Sequence, residues 1–269
     1  GNIEATLYTP DGPGPFASAI VIHTSQGLVE ADRQYCAALA REGFQCVVPA
    51  FLRAYGIRQD IKEIAFTTDR EAILADFRQV VDMMNGLPNA RAGAVGAVGF
   101  SNGGFFSVLL AAERKVKAGV AYYGALLGVG QPLAANPFRQ SFTSGSSPVL
   151  ILMGENDTTM GPPPVRMLEA IMKGVGAPYE IKFYPDAEHG FDRVAHRIEV
   201  SSLTGRVKPD PAAWEGLLAD GLPPSMAIAV DDQRANLDAA ESLGITAVHA
   251  DGTDGWAAAV DAWLEAVAP

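Results

Sequence analysis

Short apolar runs rich in valine and isoleucine alternate along the chain with longer segments of helical spacing. The strand-like runs are residues 17–23, 45–49, 94–98, 118–123, 149–153 and 179–184; the helical patterns are 34–42, 70–84, 105–114 and 165–174. This alternation predicts βα units, and hence a mostly parallel sheet with helices on both faces. Active sites of such sheets lie beyond the carboxyl ends of the strands. The residues that follow each run are therefore the place to look for chemistry.

Gly99-Phe100-Ser101-Asn102-Gly103 stands between the run 94–98 and the apolar segment 105–112. A strand, Gly-x-Ser-x-Gly, then a helix is the setting of a nucleophile elbow, in which a strained turn lifts the serine hydroxyl clear of the sheet. Flanking glycines are needed there because side chains would collide with the helix and the neighbouring strand. Chance places such a pentapeptide in on the order of one chain in ten at this glycine content, so its context decides. Run 149–153 leads into Gly154-Glu155-Asn156-Asp157, and run 179–184 into Pro185-Asp186-Ala187-Glu188-His189-Gly190-Phe191. The order Ser101, Asp157, His189 is the serine, acid, histidine order of an α/β-hydrolase. In those roles His189 takes the proton from Ser101, and Asp157 holds the imidazole tautomer and stabilises the imidazolium. Glu155 and Asp186 compete for the acid's place; Asp157 is preferred because its loop needs room to turn back toward His189. The oxyanion donors expected are the backbone N–H of Asn102 and one N–H of the loop 23–28, from Ser25 or Gln26. His23 is expected to shape that loop, and Phe105, Phe106, Tyr122 and Tyr123 to form core or pocket wall.

Composition narrows the setting. With 269 residues, 48% of them hydrophobic, the chain can bury a large domain, or a domain plus a smaller unit. A net charge of -11 and the absence of a basic run exclude a nucleic-acid surface. No stretch reaches the roughly 18 apolar residues of a membrane span and no signal peptide is visible; the compartment stays open, with a cytoplasmic location favoured. Cys36 falls in a helical pattern and Cys46 in a strand pattern; both are expected as separate, buried, small apolar side chains rather than as a disulfide or metal site.

These residues together resemble the dienelactone hydrolase family of α/β-hydrolases over roughly 1–193. The motifs are 17–28 as first strand and oxyanion loop, 99–104 as elbow, AGVAYYG at 118–124, then 148–157 and YPDAEHGF at 184–191. The resemblance implies cleavage of a small ester or lactone without a cofactor. The family's namesake enzymes use a cysteine nucleophile and a glutamate in the oxyanion loop. Here Ser101 replaces the cysteine, and Thr24 or a neighbour the glutamate, which is more like a general esterase. Arg53 and Arg58 could receive a substrate carboxylate, against the plainer reading of solvated surface arginines.

From about residue 198 that resemblance stops. SSLTGRVKPDP (201–211), AIAVDD (227–232) and ANLDAAESLGITAVH (235–249) are similar to the second half of a haloacid dehalogenase-like hydrolase. That resemblance gives Lys208, Asp231 and Asp232 roles in steadying phosphoryl charge and holding Mg²⁺. The first half of such a domain, with its Asp-x-Asp nucleophilic strand, is missing, so no metal or cofactor is expected. The expectation is an α/β-hydrolase domain over 1–195 and a small Rossmann-like βα appendage over 196–269. A closing helix over 255–267 and an open sheet edge that could pair two copies as a homodimer complete it. The rival readings are a non-catalytic interaction module and a Mg²⁺-dependent phosphatase completed by a partner.

Overall fold

The computed structural model describes residues 3–185, 187–191, 208–211, 214, 224–250, 255, 259–260 and 262–263. Contacts divide the chain into two compact units, Gly1–Val194 and Ala195–Pro269.

The first unit is built on seven strands: β1 (Ala5–Tyr8), β2 (Phe16–Ile22), β3 (Phe44–Pro49), β4 (Ala90–Phe100), β5 (Gly119–Tyr122), β6 (Val149–Gly154) and β7 (Tyr179–Tyr184). Their order is β1-β3-β2-β4-β5-β6-β7; β1 runs antiparallel to β3 and every other pair is parallel. Ser18–Ile22 of β2 and Gln45–Pro49 of β3 are buried at consecutive positions, so both faces of the sheet are covered there. Strand β7, at the edge, instead alternates half-buried Tyr179, Ile181 and Phe183 with exposed Glu180, Lys182 and Tyr184. The helices are α1 (Glu30–Arg41), α2 (Phe51–Ala54), α3 (Arg70–Asn85), α4 (Asn102–Ala112), α5 (Pro137–Ser141) and α6 (Pro162–Val175). All eleven residues of α4 are buried, in keeping with a sequence that is apolar on every side. Phe105 and Phe106 of α4 meet Phe66, and Phe106 also meets Phe51 and Phe77, forming an aromatic centre for the core.

Two features differ from the sequence reading. Strand β1 has only four half-exposed residues, and its pattern is too short to stand out. The two cysteines are also not separate: Cys36 of α1 and Cys46 of β3 form a disulfide, with their Cα atoms 5.3 Å apart. The cause is the reversal at Gly43, whose φ of 87° turns α1 back into β3. Five helical residues at ~1.5 Å and two strand residues at ~3.3 Å place both cysteines at nearly the same height above that turn. Both are fully buried.

In the second unit, β8 (Ile228–Asp231), α7 (Arg234–Ser242) and β9 (Thr246–His249) form a βαβ unit, with β8 parallel to β9 and Val230 opposite Val248. Trp214, Ala227, Ala229, Leu237, Ala240 and Ile245 make its small core. The segment 196–207 and most of the expected closing helix lie outside the described residues. Among the described residues no helix is long and apolar enough to cross a membrane.

Candidate active site

Ser101 follows β4 directly and caps α4 with φ 49° and ψ −110°, a conformation that side chains rarely adopt. Backbone bonds on both sides hold it there: its N–H donates to the Tyr122 carbonyl at 3.0 Å, and its carbonyl accepts from Gly104 at 3.0 Å and Ala125 at 2.8 Å. The glycines of the motif are steric necessities. A Cβ on Gly103 would collide with the carbonyls of Ile22 and His23, and one on Gly104 would come within 2.7 Å of the Gly124 Cα. Helix and strand ends therefore approach as closely as backbone allows.

Asp157 lies in the loop after β6. Its Oδ1 accepts from the backbone N–H groups of Thr159 and Met160, both at 2.8 Å, which leaves Oδ2 directed elsewhere. This is an Asx-type turn, and Asp157-Thr158-Thr159 is the signal by which the sequence could have singled out Asp157 over Glu155. His189, after β7, places Nδ1 2.8 Å from that Oδ2 and Nε2 3.0 Å from Ser101 Oγ. The carboxylate accepts, so Nδ1 carries the proton and Nε2 accepts from the serine hydroxyl. The Asp157 side chain is wholly buried while the His189 ring keeps 23% exposure. The two loops are tied by Asn156 N–H donating to Ala187 at 3.1 Å and Glu155 N–H to Tyr184 at 2.9 Å. Tyr123, itself at φ 37°, presents its ring edge-on to His189 with centroids 4.7 Å apart, and Phe191 packs on Tyr123 at 5.5 Å. The structure thus brings Ser101, Asp157 and His189 into one hydrogen-bonded line at the carboxyl ends of β4, β6 and β7.

A family model described as the dienelactone hydrolase family matches residues 3–214. The chain belongs to the dienelactone hydrolase family. A Methylorubrum extorquens protein provisionally described as a carboxymethylenebutenolidase is 27% identical over 210 residues, 74% of this chain and 72% of that one. A Rhodococcus opacus carboxymethylenebutenolidase is 26% identical over 194 residues, 69% and 74% of the two chains. Among solved structures, a provisionally described dienelactone hydrolase of Klebsiella pneumoniae subsp. pneumoniae superposes with a TM-score of 0.60 at 25% identity, covering 81% of this chain and 98% of that one. An esterase of Thermogutta terrifontis, at 17% identity and a TM-score of 0.56 over 82% of this chain and 89% of that one, shares the fold. This dienelactone hydrolase family member is thus a carboxylic ester or lactone hydrolase.

The remaining candidates of this family member are placed as follows. Asn102 is the first residue of α4, where helix N–H groups have no carbonyl partner within the helix. Of the two oxyanion-loop candidates, the Gln26 N–H donates to Thr24 Oγ1 at 3.2 Å. The Ser25 N–H has no such bond within the turn. Arg58 forks onto Asp60 at 3.0 and 3.1 Å, and Arg53 pairs with Glu4 at 3.3 Å, both on the exposed surface. In the second unit Asp231 is bonded to Lys208, to the Gln233 N–H at 2.9 Å and to Asn236 Nδ2 at 2.9 Å. Burial raises the Asp231 pKa, but Lys208 and the two other donors outweigh it and hold the carboxyl at about 2. Asp232 is exposed. Among the described residues no cluster of three or more His, Cys, Asp or Glu forms a metal site. Asp186 lies outside the described residues.

Proposed function

We propose that this protein cleaves carboxylic esters or lactones through an acyl-enzyme, with Ser101 as nucleophile. The observation that carries this reading is the line Asp157 Oδ2, His189 Nδ1, His189 Nε2, Ser101 Oγ at 2.8 and 3.0 Å. As Ser101 Oγ attacks the carbonyl carbon, its proton passes to His189 Nε2, and the imidazolium is held by Asp157. The Asn102 and Ser25 N–H groups receive the oxyanion. The imidazolium then protonates the leaving oxygen, and His189 activates a water molecule to release the acid and restore the serine. With a lactone the leaving oxygen remains in the same molecule, so the product is a single hydroxy acid.

A cleft of about 490 Å³ lies between Glu63, Phe66, Arg70, Leu127, Gln131 and Pro137, and none of Ser101, Asp157 or His189 lines it. Lactones come into consideration through the relatives named carboxymethylenebutenolidases. For the second unit we propose a small βα appendage similar to half of a haloacid dehalogenase-like domain, without phosphoryl transfer, because the Asp-x-Asp nucleophilic motif of such domains does not occur in the sequence.

Hydrolysis of p-nitrophenyl acetate by wild type and Ser101→Ala, without added metal, tests the reading. Turnover is expected to fall by at least ~10⁴-fold in the variant; equal turnover in both would overturn it.

A further inference from the structure

A backbone oxyanion donor is aimed by whatever holds its own peptide plane. The Ser25 N–H shares a plane with the Thr24 carbonyl, and in a trans peptide the two point in opposite directions. That carbonyl is held twice: the Gly27 N–H donates to it at 3.2 Å, and His23 Nδ1 lies 2.8 Å away. A carbonyl oxygen only accepts, so His23 carries its proton on Nδ1. The ring is fully buried and stacks on Phe51 with centroids 4.4 Å apart and planes at 21°. Phe51 is in turn wedged edge-on against Phe77 and Phe106 of the core. His23 Nε2 is buried and has no hydrogen-bond partner among the described residues, so Nδ1 is the end of the ring that is used. Burial holds the His23 pKa down at about 4, against a smaller upward pull from the Thr24 carbonyl, and the ring is neutral at pH 7.

We propose that His23 is a positioning residue of the oxyanion hole: by donating from Nδ1 to the Thr24 carbonyl it fixes the peptide plane whose other end is the Ser25 N–H. The bond also polarises that peptide and makes its N–H a better donor. The inference rests on the acyl-transfer reading above and adds to it a residue that touches neither substrate nor Ser101.

Three variants test it. His23→Phe keeps the stack on Phe51 without a donor, His23→Asn returns a donor nitrogen near the place of Nδ1, and Ser101→Ala is run in parallel. Turnover of p-nitrophenyl acetate is expressed per active site titrated with paraoxon, and affinity is measured for phenylboronic acid, a tetrahedral mimic. In His23→Phe, kcat per titrated site is expected to fall ~10–100-fold with KM within about threefold and boronate affinity falling in step. His23→Asn is expected to recover to within about fivefold of wild type. Wild-type kcat per site in His23→Phe, an equal loss in His23→Asn, or a loss confined to KM or to the titratable fraction would each overturn the proposal. If His23→Phe yields no folded protein, ¹⁵N-histidine NMR of the wild type decides, since an Nε2–H tautomer at His23 contradicts it. Turnover surviving in Ser101→Ala would remove the underlying reading, whereas a silent His23→Phe in a Ser101-dependent enzyme removes this inference alone.

Discussion

The ends of β4 and β8 offer a comparison within one chain, because each is a parallel strand that delivers a polar residue to its carboxyl end and then enters a helix. At β4 the residue is Ser101, held by backbone bonds at a φ of 49°, with its hydroxyl left, among the described residues, to His189 alone. At β8 it is Asp231, whose oxygens are taken by Lys208, the Gln233 N–H and Asn236. Similar topology therefore gives different outcomes. On the proposed reading, a strand end becomes reactive when the fold pins the main chain and leaves the side chain under-committed. It becomes structural when the side chain itself does the pinning.

That contrast predicts where substitutions hurt. The largest effect belongs to Asp157→Asn, which keeps an acceptor for Thr159 and Met160 but reverses the tautomer preference of His189. A fall of about 10³–10⁴ in kcat is expected, with little change in thermal melting. A parallel loss of folded protein would make Asp157 structural, like Asp231, and erase the distinction. Next comes acid sensitivity. His23 has a folded pKa of about 4 against an ordinary 6.5, so the unfolded chain binds the proton first and stability falls as pH drops from 6.5 to 4, by about 3 kcal/mol in all. Asp231 is held at about 2 against an ordinary 3.8, so its contribution is present above 3.8 and is lost as pH falls through 2. Hydrogen-exchange mass spectrometry, corrected for intrinsic rates, should find β2 peptides losing protection between pH 6.5 and 4 while β8 peptides hold until below 3.8. Simultaneous loss would show that the two ends are not independent. The smallest effect is that of Lys208→Ala. The lysine is 45% exposed, and solvent screening limits its ion pair to about 1 kcal/mol. Ester turnover should stay within twofold of wild type, and a larger drop would tie the second unit to the chemistry.

Much of this was legible in the sequence because strand ends can be read from one-dimensional patterns. Ser101, Asp157 and His189 each follow an apolar run, and their order alone points to one fold. The proposed preference for Ser25 over Gln26 was not legible, since it rests on which amide the Thr24 hydroxyl takes. The Cys36–Cys46 bond was missed for a related reason: two residues ten positions apart, one on a helix and one on a strand, meet only when the turn between them is specified. Strand β1 escaped because its pairing with β3, not its own pattern, makes it a strand. The burial of α4 on every side, by contrast, was plain from the apolar run Phe105 to Ala112.

The Cys36–Cys46 crosslink also governs how the enzyme meets inhibitors. Both cysteines of the chain are consumed in it, so the oxidised protein offers no thiol to alkylating reagents. Iodoacetamide and organophosphates are often used together to sort cysteine from serine hydrolases; here the first would reach the chain only after reduction, whereas on the proposed acyl-enzyme reading the second would act through Ser101 in either redox form.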